Sequence, residues 1–509
     1  MRTTTNGPWG RRAALALAVL APAARGVTDG AMVEGGAPIA EIRVVDAETG
    51  RGVPLVELET VNAVGLVTDS AGRAAFAEPE LLGHEVFLHV RGHGYEVPAD
   101  GFGYRGVRVV PRPGKVATIE VERTCVAERL CRLTGLDRFR DSALLGHDVP
   151  PPNDGLVAGQ DSVQAAVYRG RVVWLWGDTS RAKYPLGLFR TAGATTPIPG
   201  PDDDVERGIR YDVFTGDDGF ARAMVPLPER PDGVIWVDGL CSVRDADGEE
   251  RLVAHYSRRA SLEEELEQGV ALFDDERAVF EPVLVLPRDE TWRRPSTHPV
   301  RLEADGKEWL LFGSPSPNVR VEATLEAVLD PARYEAFTCL GTEDGEPRWR
   351  WQTELPPLDS ATEARLVAKG ELAAEDAHFL PVDAASPSTH VVLHSGTVRW
   401  NEHRGRWILV AGRVGGETSY LGEVWYSEAD APTGPFVRAV RIAAHDRQSF
   451  YNVCHHDFLD RDGGRTIFFE GTYTNTFSGN EHRTPRYDYD QLLYRLDLDA
   501  DELAPTHLR

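Results

Sequence analysis

The chain has 509 residues, 42% of them hydrophobic, and a formal net charge of −25 at pH 7. This length supports a large core and a division into two domains. The excess of 80 acidic over 55 basic residues disfavours long-range attraction to nucleic acid or to an anionic membrane surface. We therefore expect no nucleic-acid partner.

The first 24 residues have the pattern of an export signal. Arg11 and Arg12 precede a short apolar run, residues 13–20, which small residues follow up to Ala24. A basic start, a short apolar stretch and small residues are typical of a signal peptide. The run is too short to cross a bilayer as a mature helix, and no later segment is long and apolar enough. The sequence predicts a secreted or periplasmic protein without a membrane span.

Five cysteines are scattered along the chain, and this odd number leaves at least one unpaired. Their low number and wide spacing exclude a disulfide-stapled scaffold. We expect Cys241, Cys339 and Cys454 to be buried as small apolar residues. Cys125 and Cys131 are close enough in sequence that a bridge between them stays open.

Residues 38–122 carry short strand signals separated by turn residues. Apolar and polar residues alternate over residues 86–90, as in a half-buried strand. The order of motifs in this segment resembles the carboxypeptidase-regulatory, transthyretin-like β-sandwich, which implies an accessory domain of that fold. The matching motifs are Val45-Asp46, Thr49-Gly50, Val53-Pro54-Leu55, Thr68-Asp69, Gly72-Arg73 and Gly92-His93-Gly94-Tyr95.

Residues 123–153 are predicted to connect this domain to the next. Val126 to Leu133 has the pattern of a short helix that ends near Gly135. A proline-rich stretch, residues 150–152, then indicates a domain boundary.

Residues 154–500 are dominated by strand patterns, and a loose phrase recurs five times. Each copy has a polar residue at a strand start, a turn rich in glycine and charge, and a second strand full of Trp, Phe, Leu and Val. Repeats of this size and β character predict propeller blades. The fold class predicted is all-β, with an N-terminal β-sandwich followed by a five-bladed β-propeller. A strand from about Gly155 is expected to complete the last blade. The copies begin at Asp161, Asp238, His298, Ser395 and His456.

Acidic residues of different copies are predicted to converge on one pocket, because strand starts and the ends of the following strands meet at one face of a propeller. A hairpin brings Asp161 and Asp178 to neighbouring strand ends, where two carboxyl groups can divide acid and base roles. Asp238 has the same position in the second copy and is a candidate third carboxylate. A role in ordinary turns remains open for all three. Glu470 is a candidate general acid, because aromatic packing raises the pKa of a carboxyl group.

A second set of residues has the chemistry of sugar recognition, in which rings stack on apolar sugar faces and polar groups bind hydroxyls. Three neighbours in sequence, His455, His456 and Asp457, are also possible metal ligands. The chain has no complete zinc spacing, and we expect neither a metal nor a cofactor. The candidate substrate-binding residues are Trp292, Arg294, His298, Arg413, His455, His456 and Tyr473.

Several phrases resemble secreted five-bladed propeller glycoside hydrolases of the arabinanase and fructosidase group. They are Gln160-Asp161-Ser162 with Trp176-Gly177-Asp178-Thr179, and Gly422 to Ser427 with Pro432 to Phe436. The resemblance covers about residues 155–496 and implies an Asp at a blade-one strand start, which Asp161 matches. It also implies an Asp and a Glu from other blades, which Asp178, Asp238 and Glu470 match by estimated position only. His298 and His456 depart from this pattern.

The leading functional prediction is a secreted glycoside hydrolase that acts on a polysaccharide. Asp178 or Glu470 would protonate the leaving oxygen, and Asp161 would act as base or nucleophile.

Two other functions stay open. In a polysaccharide lyase, His298, His456 and Tyr473 would move protons and Arg413 would neutralise a uronate. A non-catalytic carbohydrate-binding propeller would use the same pocket without cleaving the sugar. Fold alone does not choose among these functions.

Overall fold

The computed structural model describes residues 38–507 except residues 184–189, 291, 314, 342–346, 418, 482, 483 and 485. The predicted export signal lies outside the described residues. No helix among the described residues is long and apolar enough to cross a membrane.

Eight strands near the N-terminus form two four-stranded sheets packed face to face. The sheet orders are β4-β1-β8-β6 and β3-β2-β5-β7. Alternate strand residues such as Ile42, Leu58 and Leu88 are buried between the sheets, as the period of two predicts. The strands are β1 Ala40–Asp46, β2 Glu57–Thr60, β3 Gly65–Val67, β4 Arg73–Phe76, β5 Val86–Arg91, β6 Tyr95–Glu96, β7 Gly106–Val109 and β8 Val116–Arg123.

The connecting segment holds a strand where the sequence predicted a helix. Strand β9 is Glu128–Arg132, and helix α1 follows at Arg140–Leu144. The helix predicted from Val126 to Leu133 is wrong, because all five residues of β9 are buried and four of them pair with the last strand of the final sheet. Tertiary pairing here overrides a weak local helix pattern.

Five mainly antiparallel sheets follow in chain order, and a two-stranded ribbon, β10-β13, flanks the first two strands of the first sheet in sequence. Their orders are β11-β12-β14-β15, β16-β17-β18-β19, β20-β21-β22-β23-β24, β26-β25-β30-β29-β28-β27 and β31-β32-β33-β9.

The bounds of the strands in the first two sheets and the ribbon are β10 Val157–Gln160, β11 Gln164–Tyr168, β12 Arg171–Trp176, β13 Thr179–Arg181, β14 Ala192–Pro197, β15 Asp212–Val213, β16 Val234–Arg244, β17 Glu250–Arg259, β18 Glu265–Asp274 and β19 Val279–Leu286. The third sheet has β20 Val300–Ala304, β21 Lys307–Phe312, β22 Val319–Glu322, β23 Glu335–Thr338 and β24 Arg350–Gln352, with helix α2 Leu325–Val328 inserted. Helix α3 Ser360–Lys369 precedes the fourth sheet, which has β25 Val382–Asp383, β26 Ser386–His390, β27 Leu393–Asn401, β28 Arg406–Arg413, β29 Glu423–Ala429 and β30 Arg438–Ala444. The fifth has β31 Ser449–His455, β32 Thr466–Thr474 and β33 Asp490–Asp497.

Apolar cores between neighbouring sheets join the five sheets into a closed ring. Successive residues of each second strand face opposite neighbours, which explains why these strands are continuous apolar runs. In the fifth sheet, for example, Phe469 packs toward the fourth sheet and Phe468 packs with Trp174 of the first. The corresponding pairs in the other sheets are Val173 and Trp174, Leu252 and Val253, Leu310 and Leu311, and Ile408 and Leu409.

The fold class is therefore all-β, a β-sandwich followed by a five-bladed propeller, as the sequence predicted. The closing strand is different from the one expected. Strand β9 completes the fifth sheet by pairing with β33, whereas β10, near Gly155, pairs with β13. Hydrogen bonds from a strand that precedes the first blade thus close the ring and remove its free edge.

All five cysteines are unpaired, and the bridge left open between Cys125 and Cys131 is not formed. Cys241, Cys339 and Cys454 are buried, as expected for small apolar residues.

Candidate active site

One end of the central channel opens into a cavity of about 690 Å³, here called the acidic pocket. All five blades contribute to its walls at or near the start of their first strands. The contributing residues include Asp161 to Gln164, Val234, Trp236 to Asp238, Ser296 to His298, Ser395, and Tyr451 and Asn452, with Asp178 at the end of a second strand and Thr476, Phe477 and Tyr489 from a later loop.

A repeated backbone kink shapes this end of the channel. Ser162, Gly239, Thr297 and Asn452 have φ values of 55°, 60°, 68° and 51°. The left-handed conformation costs a residue with a Cβ about 1–2 kcal/mol, and such strain collects at functional sites. Because three of the four residues are not glycine, the surrounding contacts must hold the kink.

Each kinked residue directly follows a residue that lines the pocket. These four lining residues are Asp161, Asp238, Ser296 and Tyr451. The equivalent positions of the third and fifth blades are therefore Ser296 and Tyr451. The copy starts predicted at His298 and His456 are two and five residues too late, because the kink breaks the simple alternation of the strand.

Asp161 is held by hydrogen-bond donors on both carboxylate oxygens. The Tyr451 hydroxyl donates to Oδ2 at 2.8 Å, and the backbone N–H of Asp178 donates to Oδ1 at 2.9 Å. Burial raises the pKa of Asp161 above its ordinary value, and hydrogen bonds from Tyr451, Tyr489, the Asp178 backbone and Ser162 oppose this shift. These donors stabilise the charged form of a buried carboxylate.

The surroundings of Asp178 disfavour its charged form. Burial, followed by the charge of Asp161, raises the pKa of Asp178 to about 7. The indole Nε1–H of Trp236 donates a hydrogen bond to Oδ1 of Asp178 at 2.6 Å. The hydrogen-bond donors around Asp161 favour its charged form, and that charge in turn favours the protonated form of Asp178.

Gly177 explains how strand β12 approaches Asp161 so closely. A Cβ at this position would lie 2.5 Å from Oδ1 of Asp161. Gly177 also donates its N–H to the Asp161 carbonyl oxygen at 2.8 Å. Glycine is thus required by the close approach of the carboxylate.

We expect Gly177→Ala to displace the Asp161 carboxylate from its donors and, for the reaction proposed below, to lower kcat/KM by about 10-fold to 100-fold. Gly412→Ala is a matched control at the corresponding strand end of the fourth blade, where a Cβ would meet its nearest atom at an ordinary 3.6 Å. Steady-state kinetics of the two variants on one substrate would make the comparison. Equal rates in both would show that the position of Asp161 does not limit turnover.

Asp238 brings a third carboxylate to the pocket from the second blade. Its Oδ2 lies 3.6 Å from Nη1 of Arg294. Arg294 is itself held by Gln268, whose Oε1 accepts a hydrogen bond from Nε at 2.8 Å. Arg294 therefore supports Asp238 from behind and is not among the residues that line the pocket.

Aromatic and apolar side chains form much of the remaining wall. Trp236, Tyr451 and Tyr489 line the interior. The more exposed side chains of Phe477 and Leu262 lie at the mouth. His298 also lines the pocket; burial, together with the charges of Arg399 and His456, lowers its pKa well below 6.5. A neutral imidazole among carboxylates and rings can donate one hydrogen bond and accept another.

The prediction that Glu470 lies at this pocket is wrong. Glu470 is fully buried between the fifth and first blades, with Oε1 2.7 Å from Nε2 of His456, and His456 packs against Trp174. Burial alone would lower the pKa of His456, but Cys454 and Glu470 outweigh it and raise the pKa to about 10. His456 and Glu470 thus form a buried ion pair in the core.

We expect Glu470→Gln to reduce the free energy of unfolding by about 3 kcal/mol at pH 7, because it leaves a buried imidazolium unpaired. The pKa of His456 is higher in the folded state than the ordinary 6.5, so the pair stabilises fully below that pH and loses its contribution as pH rises towards 10. Urea unfolding at pH 7 and pH 9.5 would measure both effects. Glu308→Gln, in an exposed pair with Arg301, is the control. If Glu470→Gln left the free energy of unfolding unchanged and abolished activity, Glu470 would again be a candidate catalytic residue.

The other substrate-binding candidates also lie away from the acidic pocket. Trp292 packs in the core between the second and third blades, under the Arg293 guanidinium. Arg413 lies 3.2 Å from the buried carboxylate of Glu423. Tyr473 is buried against His93 of the sandwich. These three side chains support the structure and do not reach the pocket.

His455 is placed at the opposite end of the channel. Its Nε2 lies 2.8 Å from Oδ1 of Asp460. A second cavity, which His455, His456 and Asp457 line, opens at this end. Within the described part of the chain, no group of three or more potential metal ligands converges.

Sequence reasoning missed Trp236, Tyr451, Asn452 and Tyr489. The sequence does carry a signal for Tyr451 and Asn452. At each kink a residue that lines the pocket is followed directly by Ser, Gly, Thr or Asn. Tyr489 directly precedes the last strand and forms a side-chain hydrogen bond with Asp161. The two residues are far apart in sequence and meet because the fifth blade lies beside the first, so no local pattern indicates Tyr489.

No protein-family model matches this chain, and no curated protein sequence matches it. Among solved structures, a GH43_1 enzyme from Xanthomonas citri complexed with xylose is 12% identical, covering 67% of this chain and 90% of that one at a TM-score of 0.33. An exo-1,5-α-L-arabinanase from a bovine ruminal metagenomic library is 10% identical over 69% and 98% of the two chains, with a TM-score of 0.35. An exo-β-1,3-galactanase from Phanerochaete chrysosporium is 10% identical over 67% and 61%, with a TM-score of 0.34. Similarity at this level does not transfer an activity, and the function has to be argued from the pocket itself.

Proposed function

We propose that this protein is a secreted glycoside hydrolase that cleaves a polysaccharide or oligosaccharide in the acidic pocket. The observation that carries the proposal is the pair of Asp161 and Asp178, two carboxyl groups with unequal surroundings in one aromatic-walled cavity. Glycoside hydrolysis needs one protonated and one charged carboxyl group at the same bond. Export rests on the signal predicted in residues 1–24.

In this proposal Asp178 is the general acid and Asp161 is the base or nucleophile. Asp178, with a pKa of about 7, holds a proton near neutral pH and gives it to the leaving glycosidic oxygen. Asp161, charged and held by its donors, activates a water molecule or attacks the anomeric carbon. In the first case the anomeric configuration inverts, and in the second a glycosyl ester forms and water then hydrolyses it.

The other walls of the pocket supply sugar recognition. Trp236, Tyr451 and Phe477 offer ring faces and edges to the apolar side of a pyranose or furanose ring. Asp238, supported by Arg294, can accept hydrogen bonds from sugar hydroxyls, and neutral His298 can exchange them in either direction.

The lyase alternative is less well supported. Of the residues it requires, His298 lines the pocket, whereas Arg413, His456 and Tyr473 are engaged elsewhere. A non-catalytic binding propeller would not need a carboxyl group with a raised pKa beside a second, hydrogen-bonded carboxylate.

Product analysis tests the proposal. The protein would be incubated with linear arabinan, xylan, β-1,3-galactan and mannan. We expect new reducing ends, with one water added per cleaved bond by mass spectrometry, and none with the Asp161→Asn/Asp178→Asn double variant. Ultraviolet-absorbing unsaturated ends would indicate a lyase. Glycan binding without any new ends would indicate a binding protein.

A further inference from the structure

The outer face of one sandwich sheet carries a cluster of aromatic rings, here called the aromatic platform: Phe87, His89 and Tyr104. The ring centroids are 5.0 Å apart for Phe87 and His89 and 5.7 Å apart for His89 and Tyr104. Tyr104 is 56% exposed, and Phe102 in the same loop is 90% exposed. Rings grouped on one exposed face are unlike the scattered apolar residues of an ordinary surface.

Strand register explains why these rings share a face. In β5, Val86, Leu88 and Val90 are buried in the sandwich core, so Phe87 and His89 point outward. Gly106 lies opposite His89 in β7, and a Cβ there would be 2.5 Å from Cζ of Phe87. The glycine therefore lets the Phe87 ring lie over the neighbouring strand as a flat surface.

Charged groups surround the rings. Arg91 pairs with both Glu57 and Glu59 on the same face, and the Arg108 guanidinium lies 5.9 Å from the Phe87 ring centroid. Stacking surfaces next to hydrogen-bonding groups of both signs suit a ligand that is apolar on its ring faces and rich in hydroxyls at its edges. A purely apolar partner would leave these charges without water or partners.

A continuous path of contacts joins this face to the mouth of the acidic pocket. Glu57, beside Arg91, lies 3.2 Å from Nη2 of Arg447 in the propeller. The Arg447 carbonyl oxygen accepts a hydrogen bond from Asn480 at 3.0 Å, and the Asn480 carbonyl oxygen accepts one from Asn475 at 2.9 Å. The turn that these residues brace carries Phe477, which lines the pocket.

We propose that the aromatic platform is a second binding site for a carbohydrate chain, so that a polymer held in the acidic pocket also contacts the sandwich. The inference rests on the proposed function, because it takes the polysaccharide substrate as the ligand. Phe87 and Tyr104 of the platform stack on sugar rings, as does the exposed Phe102 of the loop that carries Tyr104, and Arg91, Glu59 and Arg108 bind hydroxyl groups. The site adds affinity for long chains through a second point of attachment, and a ligand too short to leave the pocket gains nothing from it.

Binding measurements on the Asp161→Asn protein test the proposal without depending on turnover. The ligands are soluble arabinan, xylan, β-1,3-galactan and mannan polymers and their trisaccharides, measured by affinity electrophoresis and calorimetry. We expect Phe102→Leu/Tyr104→Leu to weaken binding of one polymer by about 5-fold to 50-fold, because two stacking rings are removed. Tyr104→Phe retains the ring and should bind like the parent. Val116→Ala, on the exposed face of the opposite sheet, is the surface control.

The outcomes separate this inference from the proposed function. Weaker polymer binding in the double leucine variant, with parental binding of the trisaccharide and an unchanged melting temperature, supports the platform. Equal polymer binding in that variant and the parent overturns it, as does an equal loss for polymer and trisaccharide. If the wild-type protein releases no reducing ends while the platform variants still lose polymer binding, the hydrolase proposal fails and the binding site stands.

Discussion

Asp161→Asn is expected to reduce kcat/KM by about 10³-fold to 10⁴-fold, because it removes the charged carboxylate that is the base or nucleophile of the proposed mechanism. The fold should be retained. The Asn side chain keeps an oxygen that can accept the Asp178 backbone N–H, and its amide nitrogen can donate to the Tyr451 hydroxyl. Initial rates on the substrate identified by product analysis, together with a thermal unfolding curve, would measure both expectations.

Asp212→Asn is the matched control, because Asp212 is an exposed acid of the same blade that pairs with Arg171 at 2.9 Å. It should keep the wild-type rate.

Asp161→Asn should also lower the pKa of Asp178, since the charge of Asp161 is one cause of the raised pKa of Asp178. The Trp236 indole N–H, 2.6 Å from Asp178, can report this by NMR titration. Full activity of Asp161→Asn would contradict the mechanism.

The parts of this site that sequence could predict are those joined by local structure. Asp161 and Asp178 are only 17 residues apart. They lie together at the open end of one hairpin, before β11 and after β12, so the apolar pattern of these two strands predicts that they are neighbours. Asp238 was found because the second blade repeats the polar residue that directly precedes the kink. The ring of sheets was likewise visible in the continuous apolar runs of the second strands.

The misplacement of Glu470 has its physical cause in strand register. A kink at Asn452 displaces the fifth blade relative to the assumed repeat, and a change of register sends a side chain to a different surface. Glu470 pairs with Cys454, beyond this kink, and consequently faces the core instead of the pocket. The closing strand β9 was missed because its pairing partner lies at the far end of the chain, where no local pattern can indicate it.

Asp178→Asn is expected to lower kcat by about 10²-fold to 10⁴-fold for natural substrates, because it removes the group proposed to protonate the leaving oxygen. An activated aryl glycoside needs no such proton, so the variant should cleave it at a rate much closer to that of the wild type. The wild-type rate should fall above about pH 7, where Asp178 loses its proton, and this alkaline limb should be absent from the variant.

Stability gives an independent test of the same carboxyl group. Its pKa is about 7 in the folded protein against 3.8 ordinarily, so the folded state binds the proton more tightly and becomes less stable as pH rises from about 4 to 7. Asp178→Asn removes this penalty and should raise the free energy of unfolding at pH 8 by about 1–3 kcal/mol, with little gain at pH 4. Denaturant unfolding at the two pH values measures the difference. Two results together would contradict this assignment: equal loss of activity on natural and activated substrates, and no gain in stability at pH 8. They would show that Asp178 is charged in the folded protein and that the acid lies elsewhere in the pocket.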